Sequence, residues 1–169
     1  MHTSQGRYTA MMTTMNDVRV KDAMSDVVVT VRGDETIHHA LVLMAQYSVT
    51  VLPVTDHQGR CIGVLSTSDL IEPARAFEEA LHDVERGSRQ GHLEKLLSAR
   101  LGQRQVREFM TTAVVAVDRD MPIIDATGEM LRQRVHHLPV VDTHQKIQGI
   151  VSTMDLLSIF HRCYADQQS

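Results

Sequence analysis

Val27-Val28-Val29-Thr30-Val31 is an unbroken, mostly β-branched run and predicts a strand. Asp34 follows, and then Ile37, Ala40, Leu41, Met44 and Ala45 recur at helical spacing, which predicts an amphipathic helix capped by that acid. Thr50-Val51-Leu52-Pro53-Val54 and Cys61-Ile62-Gly63-Val64-Leu65 read as two strands around the turn cluster Asp56-His57-Gln58-Gly59-Arg60. Pro53 has no N–H to donate, so it is expected at an edge or irregular strand position. Ser66-Thr67-Ser68-Asp69 then opens a second helix.

The same order returns later in the chain. Shifting the sequence by 86 residues aligns Val20–Leu70 with Val106–Leu156 without a gap, and 19 of the 51 positions are identical, against about three expected from average composition. Leu52-Pro53-Val54, Asp56, Gly63, Ser66-Thr67, Asp69 and Leu70 recur as Leu138-Pro139-Val140, Asp142, Gly149, Ser152-Thr153, Asp155 and Leu156. This is a duplication. In the second copy Pro122 falls in the first helical turn, where its missing N–H costs least. Each β-α-β-β-α unit of roughly 50 residues buries too little surface to be securely stable alone, so the two are expected to pack as one pseudo-twofold module. The fold class is α/β, of the α+β type.

The organisation follows: a polar tail over 1–17, a first repeat over 18–71, a linker over 72–105, a second repeat over 106–160 and a C-terminal tail over 161–169. In the linker, Phe77, Leu81 and Val84 form one helical stripe and Leu93, Leu96, Leu97 and Leu101 another, with Gly87 and Gly91 between them. It reads as a helical hairpin or two linked helices.

Composition narrows the function. The chain has 169 residues, a net charge of -4, 43% hydrophobic residues and no Trp. A mildly acidic, aromatic-poor chain argues against a general nucleic-acid binder. No run of roughly 18 apolar residues exists to cross a membrane. Cys61 and Cys163 are too few for a disulfide framework, so a reducing cytoplasm is the simplest compartment. His38-His39 and His136-His137 are adjacent pairs, and scattered residues such as His57, His144 and His161 lack metal-ligand spacing. Neither a nucleophile elbow nor a Walker loop is present. Cys61 stands where the second copy has Ile147, and Met44 matches Met130; all read as core-filling positions.

Taken together, Val20-Lys21-Asp22-Ala23-Met24, Leu52-Pro53-Val54-Thr55-Asp56 and Gly63-Val64-Leu65-Ser66-Thr67-Ser68-Asp69-Leu70, repeated in order as Val106 to Met110, Leu138 to Asp142 and Gly149 to Leu156, resemble a tandem pair of CBS domains, the Bateman module. The resemblance covers about 100 residues and both copies. It implies a non-catalytic regulatory module with no obligatory cofactor, binding AMP, ADP, ATP or S-adenosylmethionine in clefts between the repeats. It also implies a homodimer acting on an effector protein.

On the resemblance, Ser66 with Asp69 and Ser152 with Asp155 match the family's ribose- and phosphate-contacting motif, while Thr30 and Ala116 mark the strand near the adenine edge. Pro53 and Pro139 flank the same place. The residue before Leu-Pro, often basic and phosphate-binding in the family, is Val51 in the first copy; in the second it is His137, with His136 beside it. The chemistry is sound: a carboxylate can accept from two vicinal hydroxyls at once. Ser-x-x-Asp is also close to a helix capping box, and one hydroxyl can serve both roles. Two functions are therefore expected to compete, an adenosyl sensor and a constitutive dimerisation or docking module with vestigial clefts. The absent cation at Val51 favours the second, and the two aspartates favour the first.

Overall fold

The computed structural model describes residues 17–71, 73 and 101–166, so most of the linker, with its two expected helical stripes, lies outside the described residues. The chain divides into two compact units, Val29–Val114 and Met1–Val28 with Val115–Ser169. We call them the first- and second-repeat units.

The first-repeat unit contains β1 (Val31–Arg32), α1 (Ile37–Tyr47), β2 (Val51–Thr55) and β3 (Cys61–Ser66), with a helix continuing over 67–71. The second-repeat unit contains β4 (Val117–Asp118), α2 (Ile123–Gln133), β5 (His137–Val141), β6 (Ile147–Ser152) and α3 (Thr153–Asp166). Each sheet has the order β1-β2-β3 or β4-β5-β6, with the first pair parallel and the second antiparallel. This is the mixed α+β architecture expected from the repeat.

Both cores follow the sequence stripes. Ile37, Ala40 and Met44 of α1 bury against Val31, Leu52, Val54 and Leu65, and Ile123, Ala126 and Met130 of α2 bury against Val117, Leu138, Val140 and Val151. Each core has one further valine that the linear pattern does not place there. Val106 sits in the first core, and Val20 in the second.

These two valines belong to arms that cross over. The 3-10 turn Val20–Asp22 opens the first repeat in sequence, yet Val20 and Lys21 donate their N–H groups to Met121 and Arg119 carbonyls at 3.0 and 2.9 Å. The turn Val106–Glu108 does the same in the other unit, with Val106 and Arg107 donating to Glu35 and Gly33, both at 2.9 Å. Sequence repeat and spatial unit therefore differ at their N-terminal ends. The arms also satisfy helix N-termini that would otherwise lack acceptors. Ile37 N–H donates to the Arg104 carbonyl and Ile123 N–H to that of Val18, both at 2.9 Å.

Three local expectations are corrected. The Val27–Val31 run is not a five-residue strand. The chain passes from one unit to the other at Val28–Val29, Val27 is 83% exposed, and strand pairing is confined to Val31 and Arg32. Asp34 does not cap α1. Thr36 does, accepting from His39 N–H at 3.2 Å, while Asp34 bonds Arg32 at 3.1 Å. Pro122 is the residue before α2, at its N-cap, and not inside the first turn.

The prolines show why a strand-breaking residue is tolerated. Pro53 lies on the middle strand β2, opposite Val64, not on an edge strand. Val64 directs its N–H and carbonyl away from β2, exchanging both with Thr111. Pro53 thus sits at a position where the antiparallel ladder asks for no N–H. Two-residue β1 pairs only with Val54 and Thr55, so the other side makes no demand either. Pro139, Ile150 and Ser25 repeat the arrangement.

Candidate functional site

Each unit carries one half-site, built where its last strand turns into a helix. In the first-repeat unit, Ser66 ends β3 opposite Val51. Asp69 lies one helical turn on, so its carboxylate curls back toward the strand end. Its Oδ2 accepts from Ser66 N–H at 2.6 Å and from Ser66 Oγ at 2.7 Å. Its Oδ1 accepts from the Thr111 hydroxyl at 3.3 Å. Thr67 N–H donates to the Thr50 carbonyl, pinning the helix start to the strand before Leu52.

The second-repeat half-site has the same skeleton. Asp155 Oδ2 accepts from Ser152 N–H at 2.7 Å and Ser152 Oγ at 2.6 Å, and Asp155 N–H donates back to Ser152 Oγ at 3.3 Å. Thr153 N–H donates to the His136 carbonyl at 3.0 Å. The capping role therefore exists in both copies. It occupies one carboxylate oxygen, and both aspartates remain half-exposed rather than walled into the core.

The two half-sites differ at their second oxygen and their neighbours. Ser25 is the counterpart of Thr111, but its hydroxyl turns to the Val27 carbonyl at 3.3 Å. Among the described residues, no donor reaches Asp155 Oδ1. His137 opens β5 directly opposite Ser152, where the other copy has Val51 opposite Ser66. Burial of His137 holds its pKa below the usual histidine value, and neighbouring His136 adds to the effect, while Asp155 opposes it. The ring is therefore neutral at pH 7.

Of the remaining expected residues, Thr30 and Ala116 are half-buried in the extended stretches before β1 and β4, and Pro53 and Pro139 are buried on β2 and β5. The structure brings Ser66, Asp69 and Val51 into one unit, and Ser152, Asp155, His136 and His137 into the other. Sequence reasoning missed Thr111 and Ser25, the arm residues that distinguish the copies. A signal existed in Gly63 and Gly149, which recur because the arm leaves no room there. A Cβ at Gly63 would lie 2.8 Å from the Thr111 carbonyl oxygen, and one at Gly149 would lie 2.9 Å from that of Ser25.

Elsewhere, no three His, Cys, Asp or Glu side chains converge as metal ligands among the described residues. His39 and His57 each approach a carboxylate, Glu35 and Asp34, at 3.7 Å. Cys61 is half-buried, with burial raising its thiol pKa, which keeps it protonated. Among the described residues, no helix is long and apolar enough to cross a membrane.

The chain thus carries two tandem strand-helix modules, each closed by Ser-x-x-Asp. The family model for the CBS domain matches residues 20–74 and 106–162, and the chain belongs to the CBS domain family. It is 33% identical over 137 residues to CBS domain-containing protein YhcV of Bacillus subtilis (strain 168), covering 81% of each chain. It is 27% identical over 142 residues to inosine-5'-monophosphate dehydrogenase of Methanocaldococcus jannaschii, covering 84% of this chain but only 22% of that enzyme.

Among solved structures, the CBS domain of a CBS domain-containing membrane protein from Sphaerobacter thermophilus superposes with a TM-score of 0.72 at 25% identity, covering 92% of this chain and 95% of that one. CBSX2 in complex with AMP gives 0.62 at 27% identity, covering 89% and 98%.

Proposed function

We propose that the chain is a non-catalytic regulatory module that binds an adenosine-containing ligand, AMP, ADP, ATP or S-adenosylmethionine, at the half-sites of Asp69 and Asp155, and relays occupancy to an effector protein. One observation carries the reading. Asp155, a half-exposed residue, is oriented by Ser152 through Oδ2 alone, and its Oδ1 has no donor among the described residues. A carboxylate so held suits a ribose diol, which supplies two hydroxyl donors. The likeness to CBSX2, solved with AMP, supports the ligand class. A cytoplasmic setting suits the two free thiols.

Calorimetric titration with AMP, ATP and S-adenosylmethionine tests it. Loss of a hydrogen bond to a charged group costs about 1.5–3 kcal/mol, so Asp155→Ala should weaken binding about tenfold or more. No heat and no thermal shift at millimolar ligand would sink the reading.

A second reading, a constitutive homodimerisation or docking module, has its own support. Met154, Leu157, Phe160 and Tyr164 fall on one side of α3 and are 66, 59, 49 and 53% exposed. Such a contiguous apolar strip is more than scattered surface residues. Light scattering on the wild type and Leu157→Asp tests the dimer, which should dissociate in the variant if it is held through α3, while the titration above separates a working half-site from a vestigial one.

A further inference from the structure

The duplicated half-sites share a backbone but not a titratable group. In the first-repeat unit the positions beside the Ser-x-x-Asp turn are Thr50 and Val51, and in the second-repeat unit they are His136 and His137. His137 and Ser152 face each other across β5 and β6. The ladder alternates, and Ile150 sends its backbone groups outward to Ser25, so Ser152 two residues on is also at a non-hydrogen-bonded pair. Side chains approach most closely at such pairs. The His136 carbonyl is tied to the start of α3. The His137 imidazole is thus held beside the Ser152–Asp155 turn, with Asp155 close enough to act on it.

We propose that the second-repeat half-site binds a phosphorylated adenosyl ligand together with a proton taken up by His137, and that the first-repeat half-site binds without one. The inference rests on the adenosyl reading above and adds its regulation: affinity for an anionic ligand rises as pH falls.

The sign follows from the surroundings of His137. Within its own unit, His136 immediately before it and Asp155 on α3 are the titratable groups that act on it, besides its burial. Burial and His136 keep the free ring neutral at pH 7, against the weaker pull of Asp155. A phosphate placed beside the ring favours its charged form, so the bound state has the higher pKa. Affinity gained this way is complete below the free-state pKa and is lost as pH rises through the bound-state pKa. By reciprocity, the ligand must draw a proton from solvent when it binds at neutral pH. Val51 offers the first copy no such step.

A ligand phosphate has its own second pKa near about 6 and becomes less charged at low pH, which works in the opposite direction. Comparison with a variant removes that contribution. AMP and uncharged adenosine are titrated calorimetrically into wild type, His137→Val and the double variant His136→Asn/His137→Asn, at about pH 6 and about pH 8, in non-phosphate buffers of different ionisation enthalpy. Valine is compatible with this strand position, since Val51 occupies it in the first copy.

For AMP, the wild type should exceed the variants about tenfold at the lower pH and match them within about twofold at the higher. Its binding heat should depend on the buffer, with proton uptake absent from the variants, and adenosine should show neither effect. A wild-type-to-variant ratio that is flat with pH, or equal proton uptake in all three proteins, overturns the proposal while leaving adenosyl binding intact. Absence of binding by both ligands at both pH values overturns the two readings together.

Discussion

Replacing Val20 by alanine removes two methyl groups from a side chain with 0% exposure. By sequence Val20 opens the first repeat, but its neighbours are Val117, Ile123, Ala126, Met130, Leu138, Val140 and Val151 of the second-repeat core. At about 0.8 kcal/mol per buried methylene-sized group, the transfer loss is about 1.6 kcal/mol, and the cavity left behind raises the total to about 2–3 kcal/mol. The Val20 N–H to Met121 bond survives in alanine, so no unsatisfied donor is added. For a chain of this size the melting temperature should fall by roughly 4–12 °C.

The location of the damage is the sharper test. In a methyl and amide NMR comparison, shifts should move around Ile123, Met130, Leu138 and Val151, with Ile37, Leu52 and Leu65 unchanged. Val106→Ala should give the mirror image, because Val106 packs with Val31, Ile37 and Leu52. If Val20→Ala disturbed the first-repeat core, or cost less than about 0.5 kcal/mol, the crossed-arm packing would be refuted.

Gly149→Ala should destabilise by about 2–3 kcal/mol, because its Cβ would meet Met24 Sδ at 2.6 Å and the Ser25 carbonyl at 2.9 Å; chemical denaturation reads the loss, and hydrogen exchange should show Ile150 N–H released from Ser25. Arg134→Gly should stabilise by about 0.5–1 kcal/mol, since Arg134 ends α2 at φ 55° in the left-handed region, and a melting curve checks the sign. Asp56 and Asp142 have carboxyl pKa values below the usual range, held there chiefly by the N–H groups of Arg60 and Lys146, respectively. Their contribution is present above the ordinary carboxylate pKa and is lost as pH falls through the lowered folded value, so the Asp56→Asn/Asp142→Asn double variant should show a flatter acid limb in a pH series of melting temperatures.

Much of the half-site is local and therefore legible. Ser66 and Asp69 are three residues apart, and a helix start alone brings them together, as it does Ser152 and Asp155. The Asp56 turn and its copy at Asp142 are equally local, closed by backbone donors two and four residues on. The helix cap differs from the expected one because the helix starts at Ile37, which makes Thr36 its N-cap and leaves Asp34 two residues too early, bonded to Arg32. No five-residue strand forms around Val29, because β propensity needs a neighbour to pair with, and at Val28–Val29 the chain is leaving one unit for the other.

The amino-acid order by itself determined the duplication, the two hydrophobic faces of each repeat and the spacing of serine and aspartate at the helix starts. The duplication is a property of the letters themselves, and the other two depend on residues within a few positions of one another, where covalent geometry dictates the outcome. Tertiary structure alone decided that Val20 and Val106 exchange cores, that Pro53 and Pro139 sit harmlessly on middle strands, and that Thr111 reaches Asp69 while Ser25 turns away from Asp155. The deciding contacts, Val20 with Met121, Val106 with Glu35, Val64 with Thr111 and Thr111 with Asp69, join residues dozens of positions apart in sequence, and only the closing of a packed core against a glycine-lined strand selects which of them meet.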